Sequence, residues 1–141
     1  MKKIIALSLL FFVATSALAG DTKWSFMGEF SNIARGNESG DCDGYALRLW
    51  KLSNTAREDQ VIGIFTHADG PCDKLGTPIY GVFYSSINQT ISFSAPNDSP
   101  AVLETERFSG KIESDKISGT LTIFNHYKRT TSKSSLLLKR R

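Results

Sequence analysis

From Trp24 onward, apolar and polar side chains change places every second residue, and a repeat of three to four residues is almost absent. Trp24, Phe26, Gly28 and Phe30 alternate with Lys23, Ser25, Met27 and Glu29. Tyr45, Leu47 and Leu49 alternate with Ala46, Arg48 and Trp50, and Ile117, Gly119, Leu121 and Ile123 with Ser118, Thr120 and Thr122. A two-residue period puts one set of side chains on each face of an extended chain, so these segments are half-buried strands. Residues 60–67, 78–85 and 90–95 are rich in β-branched and aromatic residues and bounded by Gly, Pro, Asn and Asp, which adds three strands. Residues 102–112 and 127–138 complete a set of about eight. Residues 113–116 predict a tight hairpin between Ile112 and Ile117.

Gly28, Gly63, Gly81, Gly110 and Gly119 fall near the middle of these strands. Glycine weakens a strand unless the sheet must bend or another backbone comes close, so its recurrence points to a coiled, closing sheet. The expected fold is all-β: a single small antiparallel up-and-down barrel, with a β-sandwich as the alternative. The layout is similar to the calycin barrels, in which lipocalins and avidins set an N-terminal tryptophan beside a basic residue of the last strand. Trp24 and Lys139 or Arg140 hold those places, although the lipocalin G-x-W motif is absent.

Residues 1–19 change the picture of where the domain works. Met1, Lys2 and Lys3 form a positive start, residues 4–14 are uncharged and largely apolar, and Ala17, Leu18 and Ala19 offer small residues for cleavage before Gly20. This is the pattern of a cleavable signal helix, too short to span a bilayer. The expected mature domain is residues 20–141, extracytoplasmic, in a bacterial periplasm or secreted, with no transmembrane segment after cleavage. The only cysteines are Cys42 and Cys72, and an even pair in an oxidising compartment reads as a disulfide. Cys42 precedes the second strand and Cys72 follows the third, so an antiparallel hairpin brings them side by side. Three N-x-S/T sequons, at Asn37, Asn88 and Asn97, are chance matches in a bacterial protein.

The net charge is +3, and Lys2 and Lys3 supply two of it, so overall charge indicates no class of partner. Its distribution says more. No acidic residue follows Lys128, whereas Lys128, Arg129, Lys133, Lys139, Arg140 and Arg141 are basic, a tail suited to an anionic envelope component or an acidic protein. Nucleic acid is not expected for an exported chain without a stacking motif. Strands this short in apolar alternation also disfavour an outer-membrane barrel.

Two surfaces are candidate sites. In a meander, connections alternate between the barrel ends, and the long ones at residues 31–42, 68–77 and 96–101 share one end. Loops on a rigid scaffold are where binding concentrates. That mouth would collect Glu38, Asp41, Asp43, Asp69, Asp73 and Asp98, with His67 and His126 at its rim. Residues 39–44 begin like a calcium loop, but Trp50 stands where the bidentate glutamate is required, and the acidic residues are ordinary turn-formers. The second surface follows from apolar residues on both faces of neighbouring strands. If Leu47, Leu49, Phe65 and Phe83 point inward, Arg48, Trp50, Ile62, Ile64, Tyr80, Val82 and Tyr84 form an outward apolar face, as protein interfaces do.

No G-x-S-x-G elbow, H-E-x-x-H, phosphate-binding glycine loop or cysteine–histidine pair is present, so no catalytic residue, cofactor or metal is assigned. A hydrolase would have to rely on a pair such as Glu104 and Glu106, and alternate carboxylates on one strand are expected to be its solvated face. The expected function is a non-enzymatic binding protein: an inhibitor, immunity or accessory protein that binds another extracytoplasmic protein. The alternative is a lipocalin-like or avidin-like binder of a small or envelope-derived ligand at the mouth. A barrel this small tends to fill with its own side chains, which favours the first.

Overall fold

Residues 21–36, 40–55, 57–97 and 103–141 are described by the computed structural model. The proposed signal segment, Glu38 and Asp98 lie outside these residues. The described strands are β1 (Thr22–Ser31), β2 (Ala34–Arg35), β3 (Cys42–Asn54), β4 (Arg57–Gly70), β5 (Thr77–Pro78), β6 (Tyr80–Ser85), β7 (Thr90–Pro96), β8 (Glu104–Ile112), β9 (Lys116–Asn125) and β10 (Thr130–Arg140). All pairings are antiparallel, and nine strands follow one path, β5-β4-β3-β1-β10-β9-β8-β7-β6, with β2 added beside β3. Only Ile79 separates β5 from β6, so the two ends of the path are two halves of one chain run. Its first half pairs with β4 and its second with β7. The sheet is therefore curled until its edges meet, a nearly closed barrel rather than a sandwich. The predicted hairpin is present: Ile112 pairs with Ile117, and Glu113 N–H donates to Lys116 C=O at 2.8 Å.

The inward positions of every long strand fill the barrel. Phe30, Leu47, Leu49, Val61, Phe65, Ile91, Phe93, Phe108, Ile117, Leu121, Leu136 and Leu138 form one buried cluster. The rings of Phe65, Phe93 and Phe108 run through it with centroids 5.3 and 5.4 Å apart. Gly110 and Gly119 face each other across β8 and β9, and the Phe108 ring lies against them. A Cβ at Gly119 would stand 2.8 Å from that ring, so the two glycines make room for the aromatic core.

Two β-bulges change the faces expected from simple alternation. On β1, Phe26 pairs with Trp50 and Gly28 with Leu49, so Met27 is an extra residue. Gly28 and Phe30 face inward, but Trp24 and Phe26 are turned out, 53% and 58% exposed. On β6, the register shifts between Tyr80 and Phe83, at Gly81 with φ +59°. The expected inward Phe83 is 76% exposed, whereas Val82 and Tyr84, expected outside, pack against the core.

Cys42 and Cys72 are bonded, with Cα atoms 4.9 Å apart, and Cys42 sits opposite Gly70 at the end of the β3–β4 ladder. At the junction of first and last strands, Arg140 supplies the basic residue but not beside Trp24. Its guanidinium lies 4.6 Å over the Phe30 ring, Nη1 donates to Met27 C=O at 2.8 Å and Nε to Ser114 C=O at 2.6 Å. Gly28 suits this place because its φ of +143° is one that side-chain-bearing residues rarely adopt, and a Cβ there would also displace this guanidinium.

Candidate functional site

The connections β1–β3, β4–β5, β7–β8 and β9–β10 share one end of the barrel, as the antiparallel order requires. Just inside this mouth, His67 on β4 meets Glu106 on β8. Glu106 is 1% exposed, and its Oε1 lies 2.7 Å from His67 Nδ1. The distance is that of a charge-assisted hydrogen bond, but the angles fall short of one, leaving both atoms otherwise unpartnered. At such separation an imidazolium and a carboxylate attract whatever the angle. The His67 pKa is raised: bonding to Glu106 outweighs burial and the nearby Lys74, which act the other way. Glu106 corrects the expectation of a solvated strand face. It is in phase with Phe108 and Ile112 on the inward side of β8, and that phase was readable in the sequence.

Tyr45 stacks on His67 with centroids 4.5 Å apart, and its pKa is pushed up to about 12 by burial first, then by Glu106, Asp43, Glu104 and Asp69. Asp43 and Asp69 are paired across β3 and β4 at the rim. Glu104 accepts hydrogen bonds from Asn125 at 3.0 Å and Asn97 at 3.2 Å. The mouth is thus acidic, built from Asp43 and Asp69 together with two glutamates the loops alone did not indicate. Asp41 and Asp73 are exposed on the flanking loops. His126, in the β9–β10 connection at the same end, turns outward: its Nε2 lies 2.9 Å from the hydroxyl of Thr105, which alternates with Glu104 and Glu106 and so faces away from the interior. Among the described residues, no three His, Cys, Asp or Glu side chains come together as a metal-holding set.

The outer wall of β1, β3 and β4 carries cross-strand rows. Phe26, Trp50 and Ile62 stand side by side, and so do Trp24, Leu52 and Gln60. The Phe26 and Trp50 rings are 5.4 Å apart, and Ile62 is 51% exposed. In the next row Glu29 and Arg48 form a salt bridge of 3.0 Å beside Ile64. Of the residues expected on this face, Arg48, Trp50, Ile62 and Ile64 are brought together; Tyr80 is exposed on β6; Val82 and Tyr84 are not part of it. Trp24 and Phe26 are members that the alternation hid. The opposite wall differs in kind: its rows are Ser92, Ser109, Thr120 and Ser135, then Ser94, Arg107, Thr122 and Lys133. Within the basic tail, Arg140 holds the β1–β10 junction, and Arg141 N–H donates to Glu29 C=O at 2.9 Å.

A third feature is the seam where the sheet's edges meet. Near the mouth it is closed: Ile79 N–H donates to Gly63 C=O at 3.0 Å and the Thr77 hydroxyl to Pro96 C=O at 3.1 Å. Below Gly63, β6 swings away from β4 at its bulge, and a groove of about 950 Å³ opens between residues 58–62 and 80–85. Val61, Ile79, Val82 and Ile91 line it on the apolar side, and Glu58 and Asp59 are the charged residues of its wall.

Fold and surfaces together define a disulfide-linked, all-β, nearly closed antiparallel barrel with a filled interior. No protein-family model, curated protein or solved structure matches the chain.

Proposed function

We propose that this chain is a non-enzymatic extracytoplasmic binding protein, of the inhibitor, immunity or accessory kind, whose partner is another protein held by the outer wall of β1, β3 and β4. The observation that carries this reading is the row Phe26–Trp50–Ile62 on one wall, in which Phe26, Ile62 and the flanking Trp24 are exposed and Trp50 is half-buried between them. Aromatic side chains with an arginine at their edge have the composition of an interface core, and a contiguous apolar patch on a soluble domain needs a reason. The core residues fill the barrel, leaving protein surface as the place to bind. The disulfide is consistent with an oxidising compartment, where the sequence places the domain.

The mouth supports the second reading, a small or envelope-derived ligand at the rim, because His67, Tyr45, Glu104 and Glu106 converge there. One experiment separates the two: capture of a stoichiometric partner from cell-envelope extract by the oxidised protein. Trp50→Ala combined with Ile62→Asp should weaken capture by about 30-fold or more while circular dichroism stays native, as loss of a hot spot does. Asp43→Asn with Asp69→Asn should leave capture intact. The opposite pattern moves the site to the mouth.

A further inference from the structure

We propose that the wall of β7, β8, β9 and β10, opposite the apolar one, binds an acidic glycan, a sugar polymer carrying anionic groups. The charge on this wall has one sign. Arg107 and Lys111 on β8 and Lys133 and Lys139 on β10 alternate with buried residues, so they stand outward, and all four are exposed. Among the described residues none of them is in a salt bridge. The acidic side chains of the same segment are occupied elsewhere: Glu106 meets His67 inside the barrel, Glu104 is bonded to Asn97 and Asn125, and Glu113 is held by Lys116 at the hairpin, where Asp115 also lies. Soluble surfaces ordinarily intersperse both signs, and a face of one sign concentrates ligands of the other.

The placing of the cations narrows the ligand. Arg107 and Lys133 share one cross-strand row with Thr122 between them, two strand spacings or about 10 Å apart. Lys111 lies further along β8, about 13 Å from Arg107. Between these two levels runs the row Ser92, Ser109, Thr120 and Ser135, which crosses the four strands in about 14 Å. Short hydroxyl side chains flanked by long cationic ones form a shallow trough with alcohols on its floor and positive charge on both banks. A hydroxyl both donates and accepts, as the alcohols of a sugar do, so the floor suits the polymer's hydroxyls while the banks take its anions. Other polyanions use less of this wall. Protein interface cores are enriched in aromatic residues and depleted in Ser and Lys, the reverse of this composition. Single-stranded nucleic acid needs successive stacking rings, and the exposed ring here, Phe124, is packed on His126. An anionic bilayer would find little apolar surface to bury beyond Leu137.

Titration calorimetry of the oxidised protein tests this, with polygalacturonate and dextran sulfate as probes. At least one should bind, whereas methyl-esterified polygalacturonate and unmodified dextran, which keep the sugar and lose the charge, should not. Polyglutamate, which keeps the charge and has no alcohols, should bind about tenfold more weakly. Arg107→Gln with Lys133→Gln should weaken glycan binding about tenfold, the size of two exposed ion pairs. Ser109→Ala with Thr120→Val should weaken it about fivefold. Lys23→Gln with Arg35→Gln removes the same charge from exposed positions off this wall and should leave binding unchanged. These are surface positions, so circular dichroism should stay native for each variant. Binding by neither glycan overturns the proposal, and so does polyglutamate binding as tightly as polygalacturonate, which would show a wall that reads charge alone. Tighter binding of duplex DNA or of anionic phospholipid vesicles than of either glycan, or equal damage from the Lys23 and Arg35 changes, overturns it as well. The site is independent of the protein-binding wall. Trp50→Ala with Ile62→Asp should leave glycan binding unchanged, so either reading can fail while the other stands.

Discussion

Replacing Glu106 by Gln tests the interior of the mouth, because the substitution keeps shape and removes only charge. In the folded protein His67 holds its proton more tightly than in the unfolded chain, since Glu106 raises its pKa. The stability this contributes is fully present below the unfolded value, near 6.5, and is lost as pH rises through the raised folded value. Within that window the folded state carries up to one extra proton, so stability falls with a slope of up to about 1.4 kcal/mol per pH unit. Glu106 is 1% exposed, so its charge is not screened away by water. At about pH 5.5, Glu106→Gln leaves an imidazolium without its carboxylate and should cost about 1.5–3 kcal/mol, the usual worth of a hydrogen bond to a charged group. As pH rises through the raised His67 value the imidazole loses its extra proton and the difference should shrink. Urea unfolding of the oxidised protein at intervals across this range, wild type minus variant, isolates the pair from every other titrating group. A difference independent of pH would refute the reasoning, because the contact would then be packing rather than charge.

Two further substitutions probe the frame. Cys42→Ser with Cys72→Ser opens a loop of sequence separation 30 and should lower unfolding free energy by about 3–4 kcal/mol, measured by guanidinium denaturation against the oxidised wild type. Gly119→Ala drives a methyl into the Phe108 ring and the Ser109 carbonyl and should cost about 1–3 kcal/mol, read as a lower thermal midpoint; an unchanged midpoint would show that β8 and β9 yield there.

The two-residue period identified the strands, the hairpin at residues 113–116 and the inward Leu47, Leu49 and Phe65, because each lies in an uninterrupted ladder. It failed where the ladder skips. Trp24 and Phe26 read as one face with Gly28 and Phe30 until the bulge at Met27 separates them, and the bulge at Gly81 exchanges Phe83 with Val82 and Tyr84. Glycine marked both places, but a glycine states that the backbone is free to bend, not which way the phase moves. Glu106 was legible by phase and misread by chemistry. A carboxylate at an inward position is rare unless paired, and its partner His67 is 39 positions away on a strand that meets β8 only across the barrel interior. The outer-wall site was half legible: β3 and β4 pair without interruption from Cys42 to Leu52, whereas its β1 members depended on the bulge.

The two bulges also bear on why this barrel has the surface it has. Each turns aromatic side chains out of the core: Trp24 and Phe26 at the first, Phe83 at the second. Burying a large apolar side chain stabilises a fold by about 1.5–3 kcal/mol, so a chain shaped for stability alone would keep these residues in phase with the interior. The β1 bulge also sets Gly28 under the Arg140 guanidinium, and the β6 bulge lifts that strand off β4 and opens the seam. The first device therefore supplies the exposed rings of the outer wall and the second the groove, and Ile62 belongs to both, ending the aromatic row and lining the groove. Bulges recur where a sheet must redirect side chains or end its pairing for a purpose. Deleting Met27, the extra residue of β1, should leave Phe26 opposite Trp50 and Gly28 opposite Leu49 in an unbroken ladder, so partner capture should persist; its loss with a native circular dichroism spectrum would tie recognition to the bend the bulge puts in the wall rather than to its apolar content.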